Sequence, residues 1–388
     1  MKLKQRPDDF QVEEVTEVVP AASGPFALYR LEKTGWSTPD ALAAVRRRWG
    51  IEPRRLAYGG LKDRHAHTVQ YLTIFHGPRR TLHHQAVTVS YIGQVPQPYD
   101  SHAIRCNRFR LTLRDLDDAA KKAVEDRLEP VRRDGVPNYF DDQRFGSVAG
   151  EGEEFVGRLL VRARFEEALR LALTAHYEFD RAPQKREKQL LRSHWGDWAK
   201  CVEVLPRGHA RSLADYLRIH PGDFKGAVVR LRPELRGLYL SVYQSYLWNR
   251  MLARWLREHC QPEHLREVEL RLGPVPFPTG LDEAQRQSLA ALQLPLPSAR
   301  LKLDEVDPLA PLVNGVMAEE KLTLHDMQVR GVRELFFSRG ERAAACVPGD
   351  LTAEFGPDDL HRGKHRLVLG FELPRGCYAT MVVKALTA

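Results

Sequence analysis

Strand-like alternation of apolar and polar residues recurs between positions 10 and 114, lapses after Gly150 and returns only at His365. The chain that remains, about 25 residues, is too short to bury a core of its own. It has to dock onto something already folded, and the N-terminal sheet is the natural host. Residues 1–150 and 343–388 are therefore expected to form one discontinuous domain, with 151–342 inserted into it.

Within the first part, residues 10–15, 26–33, 56–58, 68–75, 87–92 and 108–114 read as strands. Thr38 and Pro39 supply an expected N-cap and first-turn proline for a helix that Gly50 ends. A second amphipathic helix spans 117–134, with Gly135 as its stop. This part reads as α+β with a mixed, mainly antiparallel sheet flanked by helices. Beyond Gly150, residues 153–176 and 236–258 read as long helices. Tyr239, Val242, Tyr246 and Trp255 share one face of the second at core spacing. The Pro-rich stretch 274–311 reads as loops with short elements.

Composition narrows the function. The chain has 388 residues and a hydrophobic fraction of 43%, enough for more than one core and too apolar for a disordered tail. No apolar run approaches the ~20 residues that cross a bilayer, and Met1 leads straight into Lys2 and Lys4 rather than a signal peptide. A cytoplasmic protein is expected. Five scattered cysteines, Cys106, Cys201, Cys260, Cys346 and Cys377, form no C-x-x-C pair and fit reduced thiols better than a disulfide or zinc framework. No metal-ligand spacing, P-loop, dinucleotide fingerprint or nucleophile elbow is present. The net charge of +8 is mild, but cations cluster at Arg46–Arg48, Arg54, Arg55, Lys62, Arg64 and along 162–192. These are either solvated helix faces or a footprint for a phosphate backbone.

Three windows could carry chemistry. In the first, Gly59 and Gly60 precede Asp63, which stands between Lys62 and Arg64 at the mouth of a strand. An Asp held ionised by neighbouring cations suits a nucleophile, a base or an electrostatic stabiliser, and equally a turn. In a strand, Lys62 and Arg64 would point to the opposite face from Asp63. In the second window, Tyr139, Phe140 and Phe145 interleave with Asn138, Gln143 and Arg144. Aromatic faces stack on bases, amides pair with base edges, and Arg takes a phosphate. The third, around Pro374, Gly376 and Tyr378, reads as a tight turn beside an aromatic.

Taken in order, these windows resemble the TruD family of tRNA pseudouridine synthases. The matching pieces are the K-x-x-P-D-D-F pattern from Lys4 to Phe10, then residues 60–70, 135–146, 238–249 and 373–380. The resemblance implies a pseudouridine-synthase catalytic domain carrying an inserted α/β TRUD domain. It implies conversion of uridine to pseudouridine in tRNA, at position 13 in the D-arm. Matched motif to motif, Asp63 falls on the catalytic aspartate and Lys4 on a lysine near it. Phe10, Asn138, Phe140 and Tyr378 fall on positions around the target uridine, and Lys62, Arg64 and Arg144 are weaker candidates for RNA contacts. The reaction is an isomerisation, so no metal, redox cofactor or nucleotide cofactor is expected. The expected partner is tRNA, engaged by a monomer without a membrane. Asp141 and Asp142 stand where family sequences often have glycine, and residues 147–153 replace a Gly-rich, Asn-containing continuation. The segment from 151 to about 235 is longer than in compact bacterial members. The rival function is a non-catalytic RNA-binding protein on the same fold, against which the joint presence of Asp63, Lys4, Asn138 and Tyr378 argues.

Overall fold

A computed structural model describes residues 1–148, 154–177, 180–304 and 306–388. They form two compact units, Met1–Val136 with Cys346–Ala388, and Pro137–Ala345. The chain leaves the first unit after Val136, one residue past Gly135, the glycine that stops a helix. Position 150 itself lies outside the described residues.

The first unit is built on ten strands: β1 (Lys2–Leu3), β2 (Phe10–Thr16), β3 (Phe26–Thr34), β4 (Leu56–Tyr58), β5 (His67–Phe75), β6 (Leu82–His84), β7 (Val87–Val95), β8 (Ile104–Leu116), β9 (Gly349–Pro357) and β10 (His365–Leu373). Their order is β9-β10-β8-β2-β5-β3-β7-β6, with β1 added to β8 and β4 to β5. The pairings are antiparallel except β2 with β5, which run parallel over Gln11–Glu13 and His67–Val69. The C-terminal strand β10 lies along β8, Leu367 opposite Leu113 and Phe371 opposite Phe109. Phe371 stacks on Phe109, whose edge meets Phe10 on β2, so one aromatic row crosses three strands.

Alternation decides which face is covered. Ala27, Tyr29 and Leu31 of β3 point to one side with Leu72 and Ile74 of β5. The helix α1 (Thr38–Trp49) closes that side with Ala41, Leu42 and Val45. Burying Leu42 or Val45 contributes roughly 1.5–3 kcal/mol each. The cap of α1 is Ser37, whose hydroxyl accepts from the Asp40 amide at 3.2 Å, not the expected Thr38. Thr38 is fully buried and its hydroxyl turns into the domain instead. Gly50 ends the helix at φ 65°, in the left-handed region that favours glycine.

Two elements after Cys346 escaped the sequence. The strand β9 lines the outer edge of β10, and a C-terminal helix, α3 (Ala379–Thr387), packs on α2 (Asp118–Asp134). Met381, Val382, Val383 and Leu386 are buried by that contact face. The segment too short for its own core thus contributes a strand and a helix to a shared one.

An ionic lock ties the three remote stretches of this unit together. Arg114 on β8 is 5% exposed and binds Asp9 at 2.9 Å, Asp358 at 3.1 Å and Asp359 at 2.5 Å. Asp358 also accepts from the Asp115 and Leu360 amides. Asp9 caps the short turn Pro7–Asp9 through the Arg6 amide, and that turn delivers the chain to Phe10.

The second unit is mostly helical. The helix expected over 153–176 starts outside the described residues and proves to be two, Val156–Val161 and Phe165–Thr174. They are separated at Ala163, whose φ of 57° breaks the ladder. The long helix Pro233–His259 carries the core: Tyr239, Val242 and Trp255 are buried as expected, with Tyr243, Leu247, Trp248 and Met251 beside them. Tyr246 is only half-buried, lying over Phe155 at 4.6 Å. The Pro-rich stretch holds a hairpin strand, Gly273–Pro278, paired with Leu265–Leu270, and a helix, Glu283–Ala291. The sheet-based first unit and this helical unit make the whole chain a mixed α and β fold.

Candidate active site

Asp63 lies on the loop joining β4 to β5, not on a strand. Its carboxylate is 2.6 Å from the Lys4 ammonium, which also sits 3.9 Å from the centre of the Phe10 ring. Both side chains of the pair are somewhat under one-third exposed. A pair that open to water contributes about 0–1 kcal/mol to stability. Lys4 itself holds φ at 60°, a left-handed conformation that costs about 1–3 kcal/mol for a residue with a side chain. The pairing therefore does not stabilise the fold enough to explain the strain. Backbone strain of this kind concentrates where a side chain has to be aimed.

The loop carrying Asp63 is held from beneath by side chains of three elements. The Thr38 hydroxyl accepts from the Lys62 amide at 2.9 Å and donates to Gln70 Oε1 at 2.8 Å. Gln70 Nε2 then donates to the Gly60 carbonyl at 3.1 Å. Lys33 Nζ donates to the carbonyls of Asp63 at 2.9 Å, Trp36 at 2.7 Å and Lys62 at 3.5 Å. Lys33, Thr38 and Gln70 are all fully buried.

Lys62 does not face Asp63, though the reason differs from the strand geometry expected. Its ammonium reaches inward to Glu14 at 3.0 Å and Asn107 at 2.6 Å, leaving the side chain 10% exposed. Glu14 also accepts from the Tyr71 amide where β2 and β5 part, so Lys62 locks the loop to the sheet. That inward role leaves Lys62 largely covered, whereas Arg64 is exposed. Phe10 is 5% exposed beneath Lys4, so it supports the lysine and offers only an edge. Tyr378 is half-buried at the start of α3 in the same unit.

In the second unit Asn138 is 4% exposed and pinned by the strand at 341–343. Its Nδ2 donates to the Ala343 carbonyl at 3.0 Å, and its Oδ1 accepts from Arg342 at 2.6 Å. Arg342 lies 4.2 Å over the Phe140 ring, and Trp248 meets that ring edge-on at 5.5 Å. Asn249 closes the Phe140 backbone with a reciprocal pair of hydrogen bonds at 2.8 and 2.9 Å. Arg144 donates to Ser245 at 3.2 Å. Asp142 accepts from the Arg271 amide, which gives this acidic residue a structural partner.

Sequence reasoning missed Lys33, Glu14, Gln70 and Arg342. The first three carry a signal in hindsight: each falls in the strand register that points to the covered face, where an apolar residue belongs. Arg342 has no local signature, because its partners lie some 200 positions away.

The family model for tRNA pseudouridine synthase D (TruD) matches residues 1–271 and 277–386. The chain belongs to the TruD family. It is 28% identical to a Methanococcus maripaludis protein named "Probable tRNA pseudouridine synthase D 1", covering 99% of this chain and 98% of that one. The tRNA pseudouridine synthase D of Aquifex aeolicus is 27% identical, covering 100% and 98%. A crystal structure from Methanosarcina mazei, described as a TruD, shares the fold with a TM-score of 0.73 at 24% identity, over 99% of this chain and 93% of that one. TruD enzymes are isomerases of tRNA processing. Among the described residues no cluster of His, Cys, Asp and Glu is placed to hold a metal. Among the described residues, no helix is long and apolar enough to cross a membrane.

Proposed function

We propose that this TruD chain converts uridine 13 in the D-arm of tRNA to pseudouridine, with Asp63 as its catalytic carboxylate. The observation that carries the reading is the Lys4–Asp63 pair at 2.6 Å on a strained Lys4 backbone, over a loop clamped from below. The reaction breaks the C1′–N1 bond, turns the uracil and rebuilds the link as C1′–C5. N1 gains a proton and C5 loses one, so atoms balance without a co-reactant. Three routes are open to Asp63: attack on C1′, attack on C6, or removal of the 2′ proton. Each needs a carboxylate, and an ammonium in contact with it presents Asp63 in that form.

Extruding a base from its stack costs a few kcal/mol. One aromatic stack returns about 1–3 kcal/mol. In the first unit that role falls to Tyr378, since Phe10 is covered by Lys4. Within the second unit, Asn138, held by Ala343 and Arg342, and Phe140, under Arg342, are candidates for contacts with the RNA. The exposed Arg64 and the half-buried Arg144 are the candidates for phosphate contacts.

The site assignment is tested by carbodiimide mapping of tRNA transcripts that carry either U13 or C13. A new primer-extension stop at 13 in the first, and none in the second, is expected. A stop elsewhere on both would sink the position while leaving the chemistry. Lys4→Met is a separate test of the pair. Removing a charge aimed at the reacting group should slow tritium release from C5-labelled tRNA by about 10²-fold. Filter binding of tRNA should be little altered; a Met variant at the wild-type rate would remove Lys4 from the mechanism.

A further inference from the structure

Lys33 ends a row in which Ala27, Tyr29 and Leu31 are all buried against α1. Its ammonium spends three donors on three backbone carbonyls, two of them on the Asp63 loop and one at the start of α1. Neutral side chains perform the equivalent holding at Gly60 and at the Lys62 amide. Hydrogen bonding alone therefore does not account for a charge at this position. A buried cation is costly unless an anion answers it, and among the described residues no carboxylate comes within ion-pair distance of Lys33. The anion it answers is Asp63, through whose peptide it acts.

We propose that Lys33 is a positioning residue for the isomerisation: it fixes the backbone from which the Asp63 carboxylate projects and keeps a second positive charge behind that carboxylate. This inference rests on the assignment of Asp63 above. Burial pushes the Lys33 ammonium down to about 8, opposed by the attraction of Asp63 and assisted by the repulsion of Lys62. The residues opposite it on β5 and β7, Thr68 and Val87, do not titrate. Lys33 is therefore charged at neutral pH and loses its charge just above pH 8. As a neutral amine it keeps two donors for three carbonyls and withdraws its field from Asp63.

The sign of the linked stability separates this role from a structural one. The folded value lies below the unfolded one, so between about pH 8 and 10.5 the unfolded chain binds more protons. Across that window this group's contribution to stability rises with pH. Activity should fall where stability from the same residue grows.

The test measures kcat, KM and melting temperature of the full chain from pH 6.5 to 9.5, using tritium release from labelled tRNA. Lys33→Met should lower kcat at neutral pH by roughly 10²-fold, the cost of a small misplacement at the reacting group, with KM little changed. It should also lose the alkaline fall centred near 8 in the wild type. Lys33→Arg, which does not titrate in this range, should stay active and carry the fall out of the window. If Lys33→Met does not fold, the arginine variant and the wild-type profile decide. A wild-type kcat flat across the window, a folded Lys33→Met within threefold of wild type, or an arginine variant that keeps the fall near 8 overturns the proposal. Asp63→Asn is run alongside: an active Asp63 variant removes the parent assignment, whereas an inactive one beside an active Lys33→Met removes only this inference.

Discussion

Replacing Asp63 by Asn should abolish isomerisation while leaving a folded protein that binds tRNA. The amide has the volume of the carboxylate, and the loop beneath is held through backbone atoms of Gly60, Lys62 and Asp63 rather than through this side chain. What is lost is the charge, and with it the ion pair to Lys4. The single-turnover rate should fall on the order of 10⁴-fold or more, equivalent to at least about 5 kcal/mol of transition-state stabilisation. Tritium release from C5-labelled tRNA measures the rate, and filter binding and the melting temperature report on the rest. Product from the Asn variant at more than about one-hundredth of the wild-type rate would leave Asp63 without the role assigned to it.

The second large effect concerns the fold. Arg114→Met leaves Asp9 and Asp358 buried without their cation, and breaking a buried pair from one side costs about 3–5 kcal/mol. For a unit of this size the melting temperature should drop by roughly 10 °C. A shift under about 2 °C would show that the lock is not what joins β8 to the N-terminal turn and the C-terminal strands. The acid limb follows the same contacts. Hydrogen bonds from the Asp115 and Leu360 amides and from Arg114 outweigh the upward push of burial and hold the Asp358 carboxyl below its ordinary value. Arg114 is the first cause of the same downward shift at the exposed Asp359. A depressed carboxyl stabilises the fold above the unfolded value and loses that contribution as pH falls through the folded one. Wild-type stability should therefore decline below about pH 4. The Arg114 variant should start lower at pH 7 and decline less steeply, as followed by calorimetry.

Much of the fold was legible because alternation is a local code. The six strands expected in the first part all form, within a few residues of their expected bounds, since a period of two commits each side chain to a face. Caps were legible to within one position: Ser37 rather than Thr38 closes α1, because the buried Thr38 hydroxyl is taken by Lys62 and Gln70. The break at Ala163 was not legible, since neither a glycine nor a proline marks it. Nor was α3, whose apolar face means something only against α2.

The candidate site divides along the same line. The chemistry-bearing residue types, their order and the shortness of the last strand segment are properties of the sequence alone. They were enough to single out Asp63 as a candidate carboxylate and to require that the C-terminus fold back onto the N-terminal sheet. Tertiary structure decided what surrounds them. Lys62, adjacent to Asp63, is drawn inward by Glu14 from 48 positions upstream, while Lys4 arrives from 59 positions away to take the contact. Lys33 looks like an ordinary polar residue at the end of a strand until the Asp63 loop is laid over it. A strand pattern tells which way a side chain points. Which charge it meets there depends on loops brought together from distant parts of the chain, and their energies enter only once the sheet and its helices have closed.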